Sequence, residues 1–279
     1  MKNITVKMLK NKVFGLFAGL FVYSSVLLAQ EKLPFQSGEQ LDYSIHYKYG
    51  IMMVKAGTAQ YAVKDNIFRG NPVIRTSLIF RTTGVVDAAF KVRDTLIAYS
   101  TPELVPVFHC KHLHEGKTHY TEEMDYKKFS ETFTSVQSKK YMSAIVKFDT
   151  LLTAKSMGFD MLSIFVFVRS LNYTKLKTGD TFEIASFVGK ETIPMHVRYM
   201  GQIIFDKGSV KYKTLRFEID IVDHAFEDHK TAMEIWIGDD KNHLPIRLKA
   251  KLKIGAAEAV LISAKNLKYA FDSKIEIKK

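Results

Sequence analysis

The chain has 279 residues, with 41 Lys and Arg against 29 Asp and Glu for a formal charge of +12, and one cysteine. That length holds one sizeable β domain or two small ones, and Cys110, alone, excludes an internal disulfide, so the fold must stand on its core. Outside the cytoplasm the basic balance points to anionic lipid, lipopolysaccharide or cell-wall polymer as partners rather than to nucleic acid.

Lys2, Lys7, Lys10 and Lys12 form a cationic leader without an acid, and the apolar run "VFGLFAGLFVYSSVLLA" follows from Val13 to Ala29. This is the build of a secretory signal peptide cleaved next to Ala29 or Gln30. The run falls short of the ~20 residues a bilayer-spanning helix needs, and no cysteine follows it to carry a lipid anchor. The expected organisation is a signal peptide over 1–29 and a single β-rich domain over 30–279, with no transmembrane span in the mature form and a charge reduced to +8. The protein is expected to be exported, periplasmic or secreted, in a Gram-negative-type envelope.

From Gly38 onward the period is two. In "LDYSIHYKY" Leu41, Tyr43, Ile45 and Tyr47 alternate with Asp42, Ser44, His46 and Lys48, as a half-buried strand requires. The alternation recurs in "VIRTSLIFR", and a short helical turn is expected over "VVDAAFKV". Two "DTL" matches resemble the acceptor motif of a bacterial O-glycosylation system, with Thr95 and Thr150 as the hydroxyls. "HCKHLHEGKTH", residues 109 to 119, holds four histidines and the cysteine. On a strand Cys110, His112 and His114 share a face, an arrangement acceptable to zinc or copper, but no fourth ligand is identifiable and Lys111 and Lys117 oppose a cation. The favoured reading is a hairpin turning at "EGK", with no metal.

"FDMLSIFVFVRSL" breaks the pattern. It is apolar without alternating, Asp160 can cap its first turn, and Arg169 near its end suits the helix dipole, so a buried helix is predicted over about 161–171. Ser163, one turn after Asp160, reads as capping and core packing rather than as a nucleophile. Alternation resumes in "TFEIASFV", "MHVRYMGQIIF", "VKYKTLRFEIDIV", "TAMEIWI", "PIRLKAKLKI" and "AEAVLISAKNL", with turns at "DKG" and "GDDKNHLP". The fold class is mainly β: an antiparallel curved sheet or half-barrel of ten or more strands with one buried helix, which must close on itself or stack two sheets to hide its edges.

In "PIRLKAKLKIG" Arg247, Lys249, Lys251 and Lys253 share one strand face, a rail suited to the phosphate or carboxylate groups of an envelope molecule unless neighbours offset the charge. No nucleophile elbow, zinc-protease, phosphate-loop or dinucleotide motif occurs, and no cofactor is called for.

Together "GEQLDYSIHYKYG", "KVRDTLIAYSTPELVPVFHCKHLHEG", "FDMLSIFVFVRSL" and "IWIGDDKNHLPIRLKAKLKIGAAEAVL" resemble the successive signatures of the exported bacterial domain-of-unknown-function 3108 family. The resemblance places Asp160, Ser163, Arg169, Trp236, Asp240 and Pro245 in its motifs. It departs after the helix serine, where Phe165, Val166 and Phe167 replace the usual tyrosine. It implies an extracytoplasmic, antiparallel β protein with no established activity, similar in outline to half-barrel lipoprotein carriers. The expected function is non-enzymatic binding of a lipid or other amphiphile in the envelope. A structural or assembly factor is the alternative, and a cell-wall or lipid hydrolase the third reading.

Overall fold

The structure is a computed structural model that describes residues 33–221 and 231–276; the expected signal peptide lies outside them. Strands β1 (Gln40–Tyr49), β2 (Met52–Phe68), β3 (Asn71–Thr82), β4 (Arg93–Ser100), β5 (Pro106–Glu115), β6 (Thr118–Phe129), β7 (Thr134–Met142) and β8 (Ile145–Ala154) pair in succession as antiparallel neighbours. A helix, α1 (Gly84–Ala89), sits between β3 and β4. After β9 (Gly158–Phe159) come helix α2 (Ser163–Ser170) and a 3-10 turn (Tyr173–Lys175). The meander then resumes through β10 (Thr181–Val188), β11 (Glu191–Asp206), β12 (Val210–Ile221), β13 (Met233–Gly238), β14 (Pro245–Lys251) and β15 (Ala256–Lys265). β15 pairs with β1 and so splices the two meanders into one sheet, and β16 (Lys274–Glu276) adds beside β12.

The sheet is mainly antiparallel and nearly closes. Its exception is β9, which pairs parallel to β10; the intervening crossover through α2 is long enough to return the chain in the same direction. At the seam Ser138 Oγ donates to the Gly189 carbonyl, the Gly158 N–H donates to Thr134 Oγ1, and Met124, Val136, Leu152, Ala185 and Phe187 pack together across the gap. Gly158 permits this approach, because a Cβ there would lie 2.5 Å from the Phe187 ring.

Alternation decides what faces inward. In β4 Asp94, Leu96, Ala98 and Ser100 are buried and the residues between them are not. Helix α2 occupies the interior between two apolar cores. Leu162, Phe165 and Val166 pack on the Leu41, Tyr43, Tyr61 and Ile246 side, and Phe167, Val168 and Leu171 pack on the Ile184, Val197, Phe217 and Ile237 side. The inside of the sheet therefore holds its own helix, packed against both apolar cores. Asp160 caps the first turn, its Oδ1 accepting from the N–H groups of Leu162 and Ser163 at 2.9 and 3.0 Å, and regular helix runs over Ser163–Ser170, inside the predicted 161–171.

Candidate functional site

Helix α2 buries a stripe of Ser163, Val166 and Arg169, so two polar groups go into the core from a helix that the sequence presents as apolar. Arg169 is fully buried, and its role is not only to complement the helix dipole. Its guanidinium forms a two-pronged pair with Glu39, itself fully buried at the entry to β1, and donates to the Asn242 carbonyl through Nε (3.1 Å) and Nη2 (3.0 Å). A two-pronged arginine–carboxylate pair is the strong form of this interaction, and burial makes it costly to break. Asn242 in turn holds the C-terminal segment, donating to the carbonyls of Tyr269 and Ala270 and accepting from the Tyr269 N–H. Asp240 accepts from the N–H groups of Asn242 and Ser273, each at 2.9 Å, and the Pro245 carbonyl accepts from Tyr43 Oη. The motif residues Arg169, Asp240 and Pro245 thus meet at one end of the barrel.

That end opens into a cleft of about 910 Å³ at the C-terminus of α2. Leu171, Leu176, Leu215 and Tyr199 supply apolar wall, while Asn172, Gln202, Asp239 and Lys241 supply polar groups. His243 also lines it, and its Nδ1–H donates to the Arg169 carbonyl at 2.8 Å. Burial pushes the His243 pKa below the ordinary histidine value, which leaves a neutral ring with its lone pair on Nε2. The volume lies within the usual range for small-molecule sites.

A second polar cluster lies at the other end of α2. Asp160 Oδ2 accepts from Ser163 Oγ and from Tyr126 Oη (3.1 Å), the Asp160 N–H donates to Tyr126 Oη (2.8 Å), and His109 Nε2 is 3.9 Å from Asp160 Oδ1. Serine, histidine and aspartate are gathered here in the wrong order for a hydrolase. The carboxylate stands between hydroxyl and imidazole, whereas a nucleophile must give its proton to the base directly. All three are buried, and the cluster fixes the start of the helix.

His109 points inward while Cys110 and His112 share the outer face, with Cys110 Sγ 3.4 Å from His112 Nε2. His114 instead meets the His119 ring edge-on, and burial pushes the Cys110 thiol up to about 11. Among the described residues no three His, Cys, Asp or Glu groups converge on a cation-sized point. Thr95 sits in β4 opposite His112, and Thr150 in β8 opposite Ser138; both are half-buried within strands rather than on loops.

The basic rail divides. Arg247 forms a two-pronged pair with Glu258 (2.8 and 3.0 Å) and lies over Trp236, while Lys249 reaches Glu234 at 3.3 Å. Arg216 bonds Glu234 and Glu218, and Arg198 bonds Glu218 and Asp220. Four cations and four carboxylates thus alternate on the outer face of β11–β15. Neighbours within the sheet offset the charge of Arg247 and Lys249. Among the described residues Lys251 and Lys253 have no carboxylate in ion-pair range, and they continue to the opposite end of the barrel.

Glu39, Asn242, His243, His109 and Tyr126 are absent from the sequence-derived set. The visible signals are an acid directly after a glycine at a strand entry, "SGEQ", and a turn rich in hydrogen-bonding side chains, "GDDKNHLP".

No curated protein matches the chain. Among solved structures it is similar to a β-barrel-like protein of domain of unknown function DUF1849 from Brucella abortus, with a TM-score of 0.53 and 9% identity over 84% of this chain and 100% of that one. At that identity the likeness concerns the fold alone. The model of the protein-of-unknown-function family DUF3108 matches residues 42–262, which include Asp160, Ser163, Arg169, Trp236, Asp240 and Pro245. The chain belongs to the DUF3108 family.

Proposed function

We propose that this chain is a non-enzymatic binding protein of the cell envelope that holds an amphiphile in the cleft at the C-terminus of α2. The observation that carries this reading is the mixed lining of that cleft, where leucines and a tyrosine stand among Asn172, Gln202, Asp239 and Lys241, on a floor held by the Arg169–Glu39 pair. Such a wall takes an apolar body and a polar head together, and a floor that is already ordered spends little affinity on rearrangement. The cationic leader and apolar run before Gln30 support export. The ligand's place is the open end of the barrel, because α2 occupies the interior.

Native mass spectrometry of protein purified from its own host tests the reading. The expected spectrum shows an added mass of small-molecule size that is lost in Thr174→Trp, a substitution at an exposed residue of the cleft wall that blocks the mouth. A bare polypeptide in every preparation, or an adduct that survives Thr174→Trp, would overturn it.

A further inference from the structure

The end of the barrel opposite the cleft carries a different surface. At the β1–β2 turn Tyr49, Met52 and Met53 are each more than half exposed, Val54 is 39% exposed, and Ile51 is 100% exposed. Successive strand residues point to opposite faces, so exposure of Met52, Met53 and Val54 together means that both faces of this ribbon tip stand clear of the barrel. Turn positions are ordinarily taken by Gly, Asn, Asp or Ser, and a fully exposed isoleucine beside two methionines departs from that chemistry.

The neighbouring turn extends the surface. Ile254, between β14 and β15, is 65% exposed, and its carbonyl accepts from Tyr47 Oη at 2.7 Å. Gly255 lets the two turns meet, since its φ is +74° and a Cβ there would lie 2.3 Å from the Lys48 carbonyl. On the other flank the Thr83 N–H donates to the Ala56 carbonyl and brings up α1, with Val85 and Phe90 exposed. Lys48, Lys55 and Lys253 stand exposed around this patch. The sequence has no Asp or Glu from 43 to 64 or from 241 to 257.

We infer that this tip docks on an anionic lipid bilayer, with Ile51, Met52 and Met53 entering the headgroup boundary and Lys48, Lys55 and Lys253 facing lipid phosphates. Two observations select a bilayer over a second copy of the chain. A rigid partner covers one face of a ribbon, whereas a fluid medium surrounds a wedge that is apolar on both. Lys48, Lys55 and Lys253 make the collar cationic, and Asp87 on the α1 flank is already paired with Arg93 at 2.7 Å, so two copies meeting tip to tip would set lysines against lysines, while an anionic surface offsets them. Tyrosines near the base of the wedge suit the interface, and lysine stems reach along apolar surface to place their charge at headgroup level. This inference is independent of the cleft, which lies at the other end.

Sedimentation of the host-purified protein with phosphatidylglycerol–phosphatidylcholine vesicles, compared with pure phosphatidylcholine, tests it. The expected result is binding to the anionic vesicles only. Lys48→Ser and Lys253→Ser should each weaken partitioning about fivefold at physiological salt, and the triple variant Ile51→Ser, Met52→Ser, Met53→Ser at least about a hundredfold. In a separate variant, Met52→Trp, fluorescence should be quenched by brominated lipid, while buried Trp236 in the parent protein is not. Binding that ignores the tip substitutions, a Met52→Trp signal untouched by brominated lipid, or a lipid-free dimer that the triple variant dissolves would each overturn the inference.

Discussion

At the cleft end of the barrel Asn242 joins Asp240, two residues before it, to Arg169 and to the segment at Tyr269 and Ala270, and those last contacts are hydrogen bonds between groups far apart in the chain. At the opposite end the β1–β2 turn places five apolar side chains in solvent, and its ties to the neighbouring turns are backbone and hydroxyl contacts made below the tip. One end buries charge and satisfies it; the other exposes apolar surface and leaves it uncovered. The contrast separates what holds the barrel together from what the barrel presents. Substitutions at the two ends should accordingly fail in different assays.

The largest expected effect is at the cleft end. Glu39→Ala leaves the Arg169 guanidinium buried without its carboxylate, and breaking a buried pair from one side costs about 3–5 kcal/mol. For a chain of this size that lowers Tm by roughly 10 °C. Ile51→Ser at the tip, where nothing is buried, should stay within about 0.5 kcal/mol. Urea denaturation of the two variants side by side checks the contrast, and equal stabilities would mean that the Arg169–Glu39 pair does not tie that end.

The strands were legible because a half-buried sheet imposes its period on the chain, and β4 keeps that period without a break. The helix was legible for the opposite reason: "FDMLSIFVFVRSL" is buried on most sides and so has no period to show. Its charge was misleading. Arg169 reads as a dipole-complementing residue at a helix end, and only the arrival of Glu39, 130 positions away, makes it the floor of a cleft. His109 and Cys110 are neighbours in the same histidine-rich run, yet the pleat sends one into the core and the other outward. The rail suffered a similar loss, since the residues that neutralise Arg247 and Lys249 sit on adjacent strands.

The interior polar clusters give the second prediction. Burial lowers the pKa of His109, with Asp160 pulling it up and Lys111 down, and burial likewise lowers that of His243. Below the unfolded value of about 6.5 the unfolded chain therefore takes up protons that the folded chain does not. The stability these rings contribute is complete above that pH and is lost as the pH falls toward the folded values, by at most about 1.4 kcal/mol per pH unit for each ring. Urea midpoints measured from pH 7.5 down to 5 should fall, and His109→Gln should flatten the slope. A midpoint that rises on acidification would mean that His109 is held as a cation by Asp160.

The smallest effect separates two lysines of one strand run. Lys249→Ser removes a partly exposed ion pair whose acid, Glu234, keeps Arg216 at 2.8 Å. The cost should be within about 0.5 kcal/mol, as for other surface pairs. Because its charge is already met within the sheet, Lys249→Ser should also change partitioning onto anionic vesicles less than about twofold, against about fivefold for Lys253→Ser. The two positions are four residues apart and were equivalent in the sequence pattern, so the measurement asks only whether a neighbouring carboxylate decides which of them is available to a ligand. If Lys249→Ser has the greater effect on binding, the alternating charges of β11–β15 are the lipid-facing surface and the tip is not.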